Sequence, residues 1–389
     1  TAENSNGKSD PVTTNEVTLQ SSQTTRTIDK SANAKYLAKG TFKNAPVIAY
    51  SDEITGNLKL ATLSKNTWKI STIDGNSTSG GKSDRNLAGP VSLCVTGSKS
   101  TERLHLFYAD MENKDLRHAT FDGKKWRYET IDGNGENIQN YKETNRRRGA
   151  SDVSVAHACA VTPAGLQVFY RDESQGILLG AVQTKTGWVY EIVDGDRQTE
   201  GRTTGDVGFS ISAIANGKTV YVLYDSVLVI NQKKEATSGA IRLATRSEID
   251  PAKWVYRTLE ESSDSLAMTG YDVAISVTTK GAFAMWLGSS TVTIPKPNQI
   301  RTALIETTLM VKNFDTSNFG TPNRWLRTNG SSALFNCEDR LCVIDFATKK
   351  ISLITGSSTA NGISGKWLSV AGKTSVVAHI DGNLALARP

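Results

Sequence analysis

Long polar segments separate the apolar parts of the sequence, and three of the four carry basic side chains. These segments span residues 75–89, 133–152, 195–206 and 261–271. An arginine guanidinium presents a planar set of donors that suits carboxylate, sulfate or phosphate groups. We therefore predict a cationic ligand-binding rim where the segments converge. Its candidate residues are Lys82, Arg85, Tyr141, Lys142, Arg146, Arg147, Arg148, Arg197 and Arg202.

Carboxylates could give the chain a hydrolytic chemistry. Glycoside hydrolysis needs two carboxyl groups at a defined separation, and the number of candidates does not show that any two are correctly placed. The S-x-D-x-G-x-x-W turn of bacterial sialidases is absent, and so are the G-x-S-x-G and H-E-x-x-H motifs. We therefore assign no catalytic residue and favour a non-enzymatic protein, with a glycoside hydrolase as the alternative. The candidate carboxylates are Asp52, Asp110, Asp172, Glu136 and Glu143.

Nothing in the sequence requires a bound metal or cofactor. The four histidines lack the spacing of metal ligands, and we expect them in the core or between repeats. The stretch Asp132–Glu136, DGNGE, comes closest to a calcium loop, yet such a loop needs further oxygens at regular spacing. An Asp-Gly pair is more often a turn. We expect no cofactor, with calcium as the alternative. The histidines are His105, His118, His157 and His379.

A short tryptophan-containing sequence recurs along the chain and must belong to the elements that position these side chains. NTWKISTIDGNST, from Asn66, is nearly repeated by KKWRYETIDGNGE, from Lys124, and two weaker copies follow. A period near this length indicates a repeat architecture. The tryptophans Trp68, Trp126, Trp188 and Trp254 are 58, 62 and 66 residues apart.

Each tryptophan follows three apolar, alternating runs that are separated by short turns. Before Trp126 these runs read GPVSLCVT, LHLFYAD and DLRHATF. Alternation with a period of two, together with β-branched and aromatic residues, is typical of antiparallel strands. The sequence therefore predicts units of four strands. It resembles the β-propeller superfamily, in which four-stranded blades surround a central channel, and it resembles no particular family within it.

The resemblance implies an all-β ring, which we predict to have seven blades. The last unit stops after three strands, and QTTRTIDKS, Gln23–Ser31, matches the missing fourth. We expect this N-terminal strand to complete the final blade and close the ring, because closure removes exposed sheet edges. Six blades is the alternative, if the weak fifth and sixth units are one. We assign residues 1–16 to a flexible polar leader and residues 17–389 to one propeller domain.

The repeated residues are predicted to be scaffold. We expect the tryptophans and the tyrosines that end the second strands to pack between blades. The aspartates two residues after these tyrosines can accept hydrogen bonds from the turn backbone. The functional alternative is a ring of aromatic and acidic residues, as in multivalent sugar-binding propellers. The tyrosines are Tyr50, Tyr108, Tyr170 and Tyr224, and the aspartates are Asp52, Asp110 and Asp172.

The cysteines point to an extracytoplasmic location, whether secreted, periplasmic or lipid-anchored. Cys337 and Cys342 flank a stretch as short as a hairpin loop, so we predict a disulfide between them; Cys94 and Cys159 occupy similar places in related segments and are candidate neighbours. An even count with such spacing favours an oxidising compartment. Four buried thiols are the alternative. We also expect a signal peptide, with or without a lipid-bearing cysteine, to have preceded Thr1; a shortened chain is the alternative.

The overall composition limits the choice of partner. The net charge of +6 and pI of about 9.0 come from well-mixed acidic and basic residues, which is not a nucleic-acid-binding signature. No apolar run is long enough to cross a membrane. We predict a non-catalytic binding module whose partner at the long loops is a glycan, an anionic cell-envelope polymer or a protein. A scaffold subunit of an envelope complex is a further alternative.

Overall fold

The computed structural model describes most of the chain from Arg26 onward and three short strands before it. The described ranges are 3–4, 7–8, 17–18, 26–133, 150–197, 201–204, 206–230, 236–262, 269–288, 299–305, 311–315, 322–330, 332–337, 340–348, 350–354, 365–370, 373–380 and 383–387. The fold is all-β, and the described residues contain no α-helix. None of the helices described could span a membrane.

Three consecutive four-stranded antiparallel sheets form the first part of the propeller, and we call them blades 1 to 3. In each blade the strands follow one another in space in chain order. Blade 1 comprises Ala34–Phe42, Ala45–Asp52, Asn57–Ser64 and Thr67–Asp74; blade 2 comprises Val91–Thr96, Arg103–Asp110, Asp115–Phe121 and Trp126–Asp132; blade 3 comprises His157–Thr162, Gly165–Asp172, Ile177–Thr184 and Gly187–Asp194.

Blades 4 and 5 repeat this order, and a sixth four-stranded sheet, the closing blade, joins the two ends of the chain. Short 3-10 turns lie at Ser79–Gly81 and Lys99–Thr101. Blade 4 comprises Asp206–Asn216, Thr219–Ile230, Ala236–Ser247 and Val255–Ser262; blade 5 comprises Thr269–Thr278, Gly281–Gly288, Gln299–Leu304 and Lys312–Asp315; the closing blade comprises Gly365–Val370, Lys373–Ile380, Asn383–Ala387 and Arg26–Asp29.

The prediction of seven four-stranded blades is wrong in its count, because six four-stranded sheets are present among the described residues. The strands between blade 5 and the closing blade form a five-stranded sheet instead. Its extra strand, Val17–Thr18, pairs in parallel with Ile351 and Ser352 and covers the outer edge. Its other strands are Pro322–Asn329, Ser332–Cys337, Arg340–Asp345 and Lys350–Ile354; the remaining strands, Glu3–Asn4 and Gly7–Lys8, pair only with each other among the described residues.

The N-terminal strand completes the closing blade, as the sequence predicts. Arg26–Asp29 pairs antiparallel with Asn383–Ala387, so residues from both ends of the chain share one sheet. A strand that pairs on this edge leaves fewer backbone groups without partners.

A hydrogen bond between a buried tyrosine and a buried aspartate joins each of blades 1 to 4 to the blade before it; we call this contact the interblade lock. The Tyr108 hydroxyl donates to Asp74 Oδ2 at 2.5 Å, and Tyr224 donates to Asp194 Oδ2 at 2.6 Å. Both tyrosines are fully buried. Asp74 and Asp194, which end the fourth strands of their blades, are thus acceptors for the next blade, and the structural interpretation of the repeated tyrosines is confirmed. The same bond joins Tyr50 to Asp29 and Tyr170 to Asp132.

Blade 5 builds the same lock from different side chains. Trp286 replaces the tyrosine, and its indole N–H donates to Glu260 Oε2 at 2.5 Å. Arg301, which lies opposite Trp286 in the register, also contacts Glu260. Arg242 takes this position opposite Tyr224 and donates to Asp194 at 2.8 Å. The poor sequence match of the fifth unit therefore reflects a change of the whole set of residues.

A disulfide joins the innermost strands of blades 2 and 3. The Cys94 and Cys159 Cα atoms are 6.3 Å apart and the bond spans 65 residues of sequence. The two strands are not paired in one sheet, so the bond links neighbouring blades directly.

The predicted Cys337–Cys342 bond remains a prediction. Cys342 is buried and disulfide-bonded, while the side chain of Cys337 lies outside the described residues. We expect a linked peptide pair in a non-reduced digest, and free thiols at both positions would reject the bond. Because it closes a short loop, its removal should cost little stability on the loop-entropy argument.

Candidate functional site

The links between blades and the turns between second and third strands share one end of the sheets, which we call the loop face. Leu87 N–H donates to Gly56 O at 2.7 Å, and Met111 N–H donates to Asn86 O at 2.9 Å. Interblade link and turn are therefore bonded to each other. The aspartates predicted to organise the turns do so: Asp110 Oδ1 accepts from the N–H groups of Glu112 and Asn113. Any ligand at the predicted rim would bind on this face.

The described residues of the predicted cationic rim have unequal environments. Arg85 is exposed and lies 3.4 Å from Glu112 Oε2, and Arg197 is also exposed. Lys82 is half-buried, 5.9 Å from the Tyr128 ring centroid. Arg202 is buried and donates to Ile192 O at 2.6 Å and to Asp196, which fastens its loop to the fold. Tyr141, Lys142, Arg146, Arg147 and Arg148 lie outside the described residues.

A cavity of about 560 Å³ occupies the loop-face end of the central channel. Its wall comes from the first strands of blades 1 to 5 and of the five-stranded sheet. Register shifts at the start of four of these strands insert extra residues there, as between Val207 and Ile211. Such bulges redirect side chains and are common next to binding sites. The cavity wall is therefore built where these strands depart from regular pairing.

Two buried carboxylates meet at one serine in the wall of the cavity. Ser210 donates its N–H to Asp225 at 2.9 Å and its hydroxyl to Asp272 at 2.7 Å. Asp272 also accepts from Leu326 N–H at 2.7 Å and lies 3.7 Å from the Arg327 guanidinium. Blade 4, blade 5 and the five-stranded sheet each contribute to this cluster, so its geometry depends on the assembled ring.

An aromatic ring lies beside the carboxylates at the mouth of the channel. Phe209 is about a third exposed (36%), and the Arg171 guanidinium is 3.7 Å from its ring centroid. Arg171 is itself fully buried and donates to Val207 O at 2.6 Å and to Asp206 at 3.0 Å. The arginine therefore fixes the ring and leaves part of it accessible.

His157 lines the opposite side of the cavity and serves a structural role. Its Nδ1 is 2.8 Å from Ser92 Oγ and its Nε2 is 3.1 Å from Pro90 O. Burial lowers its pKa to about 4, so the ring is neutral at physiological pH. Together with the burial of His105 and His118, this confirms the prediction that these histidines lie in the core or between blades.

The repeat itself shows that the charges at the channel mouth are not required by the scaffold. The position after the repeated tyrosine is Ser51 in blade 1, Ala109 in blade 2, Arg171 in blade 3 and Asp225 in blade 4. A small neutral side chain is therefore compatible with the fold there. The sequence prediction missed this site because it compared only the links between blades. The change from neutral to charged residues at this strand position would have indicated the site.

Burial raises the pKa of Asp225 to about 7, with a further contribution from the charge of Asp272. Between about pH 4 and pH 7 the folded protein holds a proton that the unfolded chain has lost. Stability should therefore fall as pH rises through this window, by at most about 1.4 kcal/mol per pH unit. Asp225→Asn should flatten this part of the profile of unfolding free energy against pH. An unchanged slope would contradict the assignment.

In the described part of the chain, no group of three His, Cys, Asp or Glu side chains could hold a metal ion. Asp132, the first residue of the candidate calcium stretch, accepts from Tyr170 and Gly133. The remainder of that stretch, from residue 134, is not described.

Comparison with known proteins supports the fold and goes no further. No family model matches the chain, and no curated protein matches it. It is similar to an ancestral GH74 enzyme, with a TM-score of 0.56 and 10% identity over 94% of this chain and 48% of that one. It is also similar to the extracellular domain of a one-component system from B. thetaiotaomicron, with a TM-score of 0.52 and 11% identity over 95% of this chain and 40% of that one.

A fucose-specific lectin from Aleuria aurantia matches with a TM-score of 0.47 and 13% identity, over 86% of this chain and all of the lectin. The two similarities with TM-scores above 0.5, at 10% and 11% identity, show a β-propeller fold alone. The chain spans less than half the length of the GH74 enzyme and of the one-component-system domain.

Proposed function

We propose that the protein is a non-catalytic binding module whose ligand, a carbohydrate, occupies the mouth of the central channel. The observation that carries this proposal is the set Phe209, Ser210, Asp225 and Asp272 around one cavity. Asp225 occupies a strand position that is a small neutral residue in blades 1 and 2, Ser51 and Ala109. Ligand sites combine apolar surface with a few placed polar groups, and this cavity offers both.

The chemistry of the cavity favours a neutral sugar. Sugar hydroxyls are donors that two carboxylates can accept, while the C–H face of a pyranose can contact the exposed part of Phe209. Arg327 supplies a donor beside Asp272. Asp225 and Asp272 share the lining with Lys39 and Arg327, so the cavity offers no excess of positive charge to an anion, and an anionic envelope polymer would bind instead at the exposed Arg85 and Arg197.

The five-stranded sheet would continue the ring between blade 5 and the closing blade in this proposal. Its first strand, Pro322–Asn329, is bonded to blade 5 through Leu326 N–H to Asp272 and Thr328 Oγ1 to Ser276. It also neighbours the first strand of the closing blade, which neighbours blade 1. We accordingly keep residues 17–389 as one propeller domain and residues 1–16 as its leader.

An extracytoplasmic location fits the proposal. The Cys94–Cys159 bond would persist in a secreted, periplasmic or surface-anchored protein and would be reduced in most cytosols.

A glycoside hydrolase is the second candidate, and one observation favours it. Asp225 and Asp272 differ in environment, since Asp225 has a raised pKa while Asp272 lies beside Arg327. A carboxyl group whose pKa is raised by burial, next to a second carboxyl group, is the pattern of a general acid and its partner.

A glycan array followed by an assay for reducing sugar separates these candidates. We expect binding to a small set of neutral glycans and no release of reducing sugar from them. Turnover of a bound glycan would replace the module with the enzyme. Absence of any glycan binding, together with capture of one partner from an envelope extract, would favour the scaffold alternative.

A further inference from the structure

A second polar cavity lies between blades 2 and 3, at the end of the sheets opposite the loop face. Its volume is about 460 Å³, which is within the range of small-molecule sites. Blade 2 provides most of the wall, and Gln183 of blade 3 provides the other side. The lining includes Thr96, Arg103, His105, Thr120, Arg127 and Gln183.

A continuous chain of hydrogen bonds organises this wall. Thr96 Oγ1 is 2.8 Å from His105 Nε2, and His105 Nδ1 is 3.0 Å from His118 Nε2. His118 Nδ1 is 2.8 Å from Glu129 Oε1, which also accepts from the Trp188 indole of blade 3. Side chains held in such a network keep their positions before any ligand arrives.

The equivalent interface between blades 1 and 2 is apolar. Val47 and Leu60 occupy the positions of His105 and His118 in the register, and Phe42 occupies that of Thr96. Phe42 contacts Phe121 there, with ring centroids 5.7 Å apart. The propeller can therefore fill this space with a hydrophobic cluster, and the polar cavity between blades 2 and 3 is a departure from the scaffold.

Two arginines give the cavity its charge. Arg103 is exposed, and its guanidinium makes no hydrogen bond or ion pair with another residue in the part of the chain described. Arg127 is half-exposed and lies 3.6 Å from Asp122. Glu129 is the one carboxylate of the lining; burial works to raise its pKa, but the hydrogen bonds from His118 and Trp188 lower it overall, so it stays ionised and offsets one of the two positive charges. The arginines therefore leave a net positive cavity.

We propose that this cavity is a second ligand site, which binds a small polyhydroxylated anion with the chemistry of a sugar acid. The ligand's carboxylate would bind the guanidinium groups of Arg103 and Arg127, because planar donors match an oxyanion. Its hydroxyls would bind Thr96, Thr120 and Gln183, each of which can both donate and accept. The site is independent of the channel mouth, which lies at the other end of the sheets.

Calorimetric titration with D-glucuronate tests the proposal, with glucose and inorganic sulfate as comparison probes. We expect glucuronate to bind more tightly than sulfate. Any binding of glucose should be the same in the parent protein and in the cavity variants. Arg103→Gln with Arg127→Gln should weaken glucuronate by more than about tenfold, since a hydrogen bond to a charged group contributes at least that much.

Lys69→Gln is the matched control, because Lys69 holds the position of Arg127 in blade 1 and its removal changes the net charge in the same direction. It should leave glucuronate affinity unchanged, as should Phe209→Ala at the channel mouth. No binding by the parent protein, or equal affinity in the double arginine variant, would overturn the proposal. Loss of glucuronate binding in Phe209→Ala would place the ligand in the channel and would overturn it equally.

Discussion

A chain without residues 1–31 is expected to melt far below the full chain and to aggregate, whereas a chain without residues 1–16 should melt at nearly the same temperature. The longer deletion removes Arg26–Asp29, the fourth strand of the closing blade. It also removes Asp29, which accepts a 2.6 Å bond from the buried Tyr50 hydroxyl and lies 3.6 Å from Lys59. Two exposed sheet edges and an unsatisfied buried hydroxyl would remain.

An intermediate deletion of residues 1–25 separates the contributions. It removes Val17–Thr18 from the five-stranded sheet but keeps the closing strand, so we expect a much smaller loss. Thermal unfolding of the three truncated chains, followed by circular dichroism and light scattering, gives the answer. Equal melting temperatures for the 1–16 and 1–31 deletions would show that the N-terminal strand does not hold the ring together.

Asp194→Ala should be among the most destabilising single substitutions, at about 3–5 kcal/mol. Removing one member of a buried charged pair leaves the other uncompensated, which typically costs this much. Asp194 is fully buried and lies 2.8 Å from Arg242 Nε. It also accepts from the Tyr224 hydroxyl at 2.6 Å and from Thr203 N–H at 2.6 Å. One side chain thus joins blade 3, the link that follows it and blade 4.

Asp84→Ala provides the control for this substitution. Asp84 lies on the same face with its side chain 58% exposed, and exposed substitutions usually change stability by no more than about 0.5 kcal/mol. Denaturant unfolding of both variants should separate them clearly. If Asp194→Ala cost no more than Asp84→Ala, the interblade lock would not stabilise the ring.

The propeller architecture could be predicted from the sequence because the pattern of one blade recurs several times along the chain. The spacing of Trp68, Trp126, Trp188 and Trp254 indicated the period, and alternation indicated the strands. The predicted number of blades was wrong because the later units match the repeat poorly. The strands from Pro322 onward carry no repeat tryptophan at the expected place. The strand Val17–Thr18 has only two residues, which is too short to show an alternating pattern.

The partners of the repeated residues were not accessible. Tyr108 and Asp74 are far apart in sequence, and only the folded ring shows that the aspartate ending one blade is an acceptor for the next. Their joint recurrence was the available clue. In blade 5 even that clue disappears, because Trp286, Glu260 and Arg301 replace the set together.

The candidate site shows the limit of reasoning from loops. Long basic links suggested a rim, yet Arg202 is buried among backbone and side-chain acceptors and stabilises its own loop. The cavity at the channel mouth is built from bulged strand starts. Whether Ser210, Asp225 and Asp272 meet depends on the rotation between blades, which no single stretch of sequence encodes.

The most direct test of the proposed function is the affinity for the glycan that binds best on the array, measured by calorimetry for Phe209→Ala, Asp225→Asn and Arg85→Gln. All three variants should remain folded, since Phe209 and Arg85 are partly exposed and asparagine preserves an acceptor for Ser210. We expect the first two to weaken binding by about tenfold or more and Arg85→Gln to leave it unchanged. Unchanged affinity in Phe209→Ala and Asp225→Asn, with a loss in Arg85→Gln, would contradict a site at the channel mouth and return the ligand to the outer loops.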